Sequence, residues 1–110
     1  MKLSQTKQCK TCPWKVSASV DDIPNYSPET HNALWDTIAD KTGNANQISR
    51  ETVVVMTCHK SIKSECIGWL HNQLGKGNNI PLRLQMKFCQ NVNLIEIDGR
   101  QKENFEETFK

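Results

Sequence analysis

The chain lacks a long apolar run: its longest, Val53–Met56, spans four residues, far short of the ~20 that a helix needs to cross a bilayer. A membrane-spanning helix is thereby excluded. Met1–Gln8 carries no apolar stretch that could form a signal-peptide core, so the expected compartment is the cytoplasm. A one-sided charge is also missing. Fourteen Lys and Arg against 12 Asp and Glu leave a net charge of +2, too little to capture nucleic acid or an anionic membrane by field alone. Large apolar side chains are scarce, with 24 Leu, Ile, Val and Phe in 110 residues. That supply makes a thin core for one small domain and excludes two. The chain has no G-x-S-x-G nucleophile elbow, and Gly75–Asn79 lacks the further glycine and the Lys-Ser/Thr ending of a phosphate-binding loop. Serine-hydrolase and nucleotide chemistry are disfavoured accordingly.

Cysteine, by contrast, is plentiful: five in a polar chain, which points to something besides apolar burial fixing the fold. In a reducing compartment, closely spaced cysteines bind metal or do redox chemistry more often than they form disulfides. Cys9-Lys10-Thr11-Cys12 is a C-x₂-C knuckle, a spacing that lets two thiolates converge on one ion. Cys58, closing the β-branched run Thr52–Thr57, and Cys66, near the start of a helix, complete a set. With Ser64 as the helix cap, the positive end of the helix dipole lies beside Cys66 and suits a metal-bound sulfur. The expectation is a tetrahedral Cys₄ centre at Cys9, Cys12, Cys58 and Cys66, with Cys89 as the spare thiol. His59 is the alternative for one sulfur, although neighbours on an extended chain point opposite ways. The plainer alternative makes Cys58 and Cys66 small buried hydrophobes.

Catalytic readings are weaker. A dithiol redox role for Cys9 and Cys12 is the main enzymatic alternative, but a thioredoxin-like pair lies between strand and helix, whereas Cys12-Pro13-Trp14 leads into a loop. Cys58-His59 is no nucleophile–base pair by adjacency, because such partners meet through the fold. His31 and His71 fall on helices as surface or packed groups. Trp14, Trp35 and Trp69 are expected in the core, two of them near the ligands.

The pattern predicts an α+β fold, a single domain over 1–99 with two or three helices and a short sheet, stapled by the Cys₄ site. A charged, solvated tail is expected over 100–110. Ser27-Pro28-Glu29 signals the start of a helix over Pro28–Lys41, ending near Gly43, with His31, Leu34, Trp35 and Ile38 on one face. Residues 17–26 and Asn44–Arg50 are connections. Thr52–Thr57 is a buried strand. A second helix over Ser64–Leu74 follows, with Gly75 as its C-cap. Ile80–Phe88 has apolar residues at strand spacing but is composed of helix formers; helix is expected. Val92–Asp98 alternates as a second strand with Asp98-Gly99 as its turn.

Cys9-Lys10-Thr11-Cys12-Pro13-Trp14-Lys15, Met56-Thr57-Cys58-His59-Lys60-Ser61 and Cys66-Ile67-Gly68-Trp69-Leu70, in that order, resemble a group of small bacterial and bacteriophage proteins classed as a domain of unknown function. Their pattern is C-x-x-C-P-[WF]-[RK], C-H-K-S and C-x-G-W-L, followed by an Arg-Leu segment echoed by Leu82-Arg83-Leu84. The resemblance implies Cys9, Cys12, Cys58, His59 and Cys66 as a metal-binding set and a phage or prophage setting; it supplies no activity. Four thiolates suit zinc or a [4Fe–4S] cluster, and zinc is expected. A closed zinc site replaces missing core and does no chemistry, so the protein would act through its surface, as an accessory protein-interaction module that modulates a host protein. The alternative is an iron–sulfur redox-sensing or regulatory protein. A third reading is nucleic-acid binding through Lys60, Lys63, Arg83 and Lys87.

Overall fold

In a computed structural model, which describes residues 3–18, 27–49, 52–58 and 61–109, the Ser27 hydroxyl accepts a bond from the Thr30 amide at 3.1 Å. With Pro28 in the first turn, this cap starts α1 (Pro28–Asn32) where the sequence places it. The helix does not run to Lys41. Residues Ala33–Thr37 tighten into a 3₁₀ turn and Ile38 is extended. Two bonds explain the change: the Thr37 hydroxyl donates back to the Leu34 carbonyl at 2.7 Å, and the Trp69 indole takes the Thr37 carbonyl at 2.8 Å. The Thr37 carbonyl, one of those that an ending helix leaves without an intrahelical partner, is thereby satisfied from another element. Asp40 then organises a turn through the Thr42 and Asn44 amides. Gly43 follows with φ +88°, and Ile80 fills the space a Cβ would need.

The expected strand over Thr52–Thr57 divides between two partners. β1 (Gln47–Ser49), inside the presumed connection, pairs antiparallel with β2 (Thr52–Val53); β3 (Thr57–Cys58) pairs antiparallel with β4 (Ser61–Glu65). Between β2 and β3 the backbone bonds elsewhere: the Val54 amide reaches the Asn46 carbonyl at 3.0 Å, and the Met56 carbonyl accepts from Cys66 at 2.8 Å. Ser64 belongs to β4, and its hydroxyl meets that of Ser4 at 2.8 Å. It is therefore not the cap of the following helix, α2 (Ile67–Leu74). That position belongs to Cys66. Gly75 closes the helix as expected.

α3 (Ile80–Met86) confirms the helical reading of this segment. Asn79 caps it by accepting from the Leu82 amide at 3.1 Å. A buried amide network ties α2 to α3: Gln73 accepts from the Ala39 amide and from the Asn79 side chain, at 2.9 and 3.1 Å. Asn72 extends it to the Glu103 carbonyl at 2.7 Å.

The C-terminal part departs furthest from expectation. Val92–Leu94 is a 3₁₀ turn rather than a strand. Only Glu96 makes an isolated parallel bridge, to Lys7. Positive φ at Gly99 agrees with the expected turn. Residues 100–109 are no solvated tail: Phe105 is 2% exposed and Thr108 and Lys102 are buried. Phe105–Phe109 forms a 3₁₀ helix whose two phenyl rings enclose His31, at centroid distances of 4.8 and 4.7 Å. Two of the 24 large apolar side chains, Phe105 and Phe109, thus pack near the C-terminus against His31 of α1.

The core centres on Trp14, Trp69, Leu70, Leu82 and Phe105, all buried. Each fully buried leucine contributes roughly 1.5–3 kcal/mol. Trp35 is not among them: it is 41% exposed and lays its ring edge-on against Phe105 at 4.7 Å, because the helix that would have turned it inward ends at Asn32. No helix of the described residues is long and apolar enough to cross a membrane.

Candidate metal centre

Cys9 and Cys12 lie on a tight turn in which the Cys12 amide donates to the Cys9 carbonyl at 3.3 Å and the Lys15 amide donates to Cys12 at 3.1 Å. This turn is held by residues 96–102. The Gln8 amide donates to the Glu96 carbonyl, Val16 to Arg100 and Lys102 to Trp14, at 2.9, 2.9 and 2.7 Å. Lys15, though buried, reaches out to Asp98 in an ion pair, which lowers the Asp98 carboxyl below its ordinary range by hydrogen bond and charge.

α2 supplies the opposite wall. Its first turn packs so closely on the knuckle that a Cβ at Gly68 would stand 2.7 Å from Cys12 Sγ, Gln8 Nε2 and Trp14 Cβ. Only glycine permits that approach without displacing the sulfur. Cys66, at the N-cap, makes no side-chain capping bond; its sulfur instead lies 3.9 Å from Cys12 Sγ. The Cys12 thiol also bonds with Cys9. Residues 54 apart in sequence thus share a contact.

Two sulfurs bound to one tetrahedral zinc at ~2.3 Å stand about 3.8 Å apart. The Cys12–Cys66 separation matches that edge. Gln8 adds a feature that thiolate centres use: its side-chain N–H donates to Cys12 Sγ at 3.2 Å. The same amide group pairs reciprocally with Gln101, at 2.6 and 2.9 Å, and accepts from the Asp98 amide at 2.9 Å. Gln8 is therefore fixed from both ends. Sequence reasoning missed it, since nothing in a lone glutamine beside a cysteine signals the role.

Without a cation, the pocket favours the protonated sulfur. The Cys12 thiol is pushed up to about 12, mainly by its hydrogen bond with Cys66 and further by burial, with the Cys9 contact acting the other way. Lys102, whose ammonium donates to the Ala18 carbonyl at 2.8 Å, interacts with the Cys12 charge and is itself lowered by burial.

The remaining candidates divide. Cys58 is buried on β3, opposite Ser61; the Cys66 amide bonds to the carbonyl of Met56, two residues before Cys58. His59 lies outside the described residues. Among the described residues no group of three or more His, Cys, Asp and Glu side chains is arranged to hold a metal ion: Cys12 lies close to Cys66, but the four expected sulfurs are not positioned as a site. Cys89 stands in a different contact: it donates to Asn91 at 3.5 Å, and Asn91 clamps both backbone groups of Leu3. His31 is packed inside, Nε2 against the Thr108 hydroxyl at 2.6 Å, and His71 is exposed on α2. His71 lines an open pocket of about 320 Å³ with Lys76, Arg100 and Glu103, a lining that includes no cysteine. Of the four nucleic-acid candidates, Lys60 and the Lys63 side chain lie outside the described residues, whereas Arg83 and Lys87 are exposed at α3.

No protein-family model matches this chain, and no solved structure is similar to it.

Proposed function

We propose that the chain is a small protein-interaction module whose fold is stapled by zinc at Cys9, Cys12, Cys66 and Cys58. The observation that carries the reading is the 3.9 Å contact between Cys12 and Cys66, with Cys9 bonded to the same sulfur. Thiol–thiol hydrogen bonds are weak and leave a buried sulfur poorly satisfied; a tetrahedral cation satisfies all of them at once. Zinc supplies no open position when four thiolates hold it, so its contribution is structural. Gln8 orients Cys12, Gly68 gives it room, and the knuckle carries the C-terminal segment with it. With a saturated centre, function falls to the exposed surface, and a modulator of another protein, in the phage or prophage setting suggested by the Cys-Pro-Trp, Cys-His-Lys-Ser and Gly-Trp-Leu blocks, is the role that follows.

Purification without oxygen, followed by a visible spectrum and elemental analysis, tests this. Colourless protein with one zinc per chain is expected. Brown protein with iron and sulfide would replace zinc by a cluster and favour a redox-sensing role; folded, metal-free protein would end both readings.

A further inference from the structure

α3 is apolar on two sides. Leu82 and Met86 point into the core and are buried, whereas Ile80, Leu84 and Phe88 are 41, 54 and 78% exposed. At i, i+4 and i+8 these three follow one line along the helix and the turn beyond it, a stripe about 12 Å long. Single exposed apolar residues are ordinary on a protein surface; a row aligned by helical periodicity is the pattern of a binding face. It costs a thin-cored protein three large side chains that burial could use.

The charges that α3 itself places beside the stripe have one sign, although the turn that begins at Asp40 abuts Ile80 at the helix start. Arg83 and Lys87 occupy the adjoining edge of the same helix, and no Asp or Glu occurs anywhere from Cys66 to Ile95. Arg83 bonds to the Asn78 side-chain oxygen at 2.7 Å, a neutral partner that orients the guanidinium without cancelling its charge. Lys76, the other cation of this stretch, is already paired with Glu103. Two cations with no ion pair to a carboxylate among the described residues, along an exposed aliphatic and aromatic row, complement one chemistry: apolar residues at helical spacing with carboxylates beside them.

We propose that the Ile80–Leu84–Phe88 face of α3, with Arg83 and Lys87, docks an acidic amphipathic helix of a partner protein. The proposal deepens the interaction-module reading by naming the surface. It does not depend on which metal the thiols hold.

The test uses the purified full chain, its metal content measured on the same sample, and two fluorescent 20-residue peptides. Both carry Leu at i, i+3, i+4 and i+7; one has Glu at the remaining positions and the other Lys. Fluorescence anisotropy should show binding of the acidic peptide, at least about tenfold weaker for the basic one. Leu84→Glu and Phe88→Glu should each weaken the acidic peptide by about tenfold or more, with thermal unfolding unchanged because both sites are exposed. The double reversal Arg83→Glu, Lys87→Glu should invert the peptide preference. Equal binding of both peptides, or indifference to these variants, overturns the proposal. So does binding of phosphatidylserine vesicles without peptide preference, which assigns the face to membranes. Self-association by sedimentation that Leu84→Glu abolishes, without peptide binding, assigns it to a second copy. Zinc-bound protein that ignores the peptide refutes the docking face alone, whereas metal-free folded protein that binds it refutes only the staple.

Discussion

Two buried polar groups, Cys12 and His31, are both held toward the neutral form, by different means. The Cys12 thiol is pushed up to about 12, chiefly by its hydrogen bond with Cys66 and then by burial, whereas burial brings the His31 ring down to about 4. For His31 that form is the finished state. Its ring nitrogen has the Thr108 hydroxyl at 2.6 Å, and its faces and edges have Phe105 and Phe109. Cys12 has sulfur neighbours and one amide N–H, contacts that a cation would strengthen and that protons only share. One region closes with the chain's own atoms. The other is the one proposed to hold zinc.

The sharpest way to break this comparison is to remove a sulfur. Cys66→Ala and Cys12→Ala should each lose bound metal and cooperative unfolding, measured by elemental analysis and urea titration, because structural zinc contributes on the order of 10 kcal/mol, as much as a small domain's whole stability. Cys89→Ala, in its separate contact with Asn91, should keep both. Equal damage from Cys66→Ala and Cys89→Ala would mean that the sulfur cluster is ordinary core. On the other side, Phe105→Ala should lower unfolding free energy by about 3–5 kcal/mol and leave metal stoichiometry intact. Loss of metal in that variant would show the two regions to be one cooperative unit.

The His31 side makes a pH prediction with a definite sign. With an ordinary value of 6.5 and a folded value of about 4, the unfolded chain binds more protons between them, so acid favours unfolding. The contribution of the neutral ring is complete above about pH 6.5 and is lost as pH falls through about 4. It amounts to as much as about 3 kcal/mol. Stability of the native chain minus that of His31→Gln isolates it from proton competition at the thiols. An NMR midpoint for His31 near 6.5 would show that the cage does not exclude charge.

Local signals served the reading of this fold well and long-range ones poorly. Ser27-Pro28 and Gly75 act within one turn, where capping chemistry decides the outcome, and both do what their types require. Ile80–Phe88 alternates like a strand, yet Asn79 with Pro81 is a cap and first turn, a stronger determinant than alternation. The run Thr52–Cys58 was legible as extended, but not as two hairpins, because the choice of partner lies with Asn46 and Cys66. The cysteines behave likewise: the C-x₂-C knuckle is local and Cys66 joins it, whereas the place of Cys58 is set by β4. Phe105 and Phe109 were hidden among Glu103, Glu106 and Glu107, where composition suggests solvent. Their burial depends on His31, 74 residues before Phe105 in the numbering, and no window of sequence contains both.

Gln8 ties Cys12 to the segment that leads into the His31 cage, since it touches Cys12 and also holds residues 98 and 101. Gln8→Leu removes the N–H to sulfur, the reciprocal pair with Gln101 and the acceptor for the Asp98 amide. Asp98 and its neighbours are exposed and can turn to water, so the structural cost should be only about 1–2 kcal/mol. Loss of a donor to a metal-bound thiolate has a larger relative effect on the metal, typically 10–100-fold in affinity. Competition with a chromophoric chelator should therefore show Gln8→Leu releasing zinc at least about tenfold more readily, while urea unfolding of the loaded protein shifts modestly. Gln8→Glu keeps the acceptor and the length but places a carboxylate against sulfur, and it should release metal more readily still. If both variants retain native zinc affinity and lose only stability, Gln8 is a brace for residues 96–102, and the sulfur it touches belongs to the core rather than to a centre.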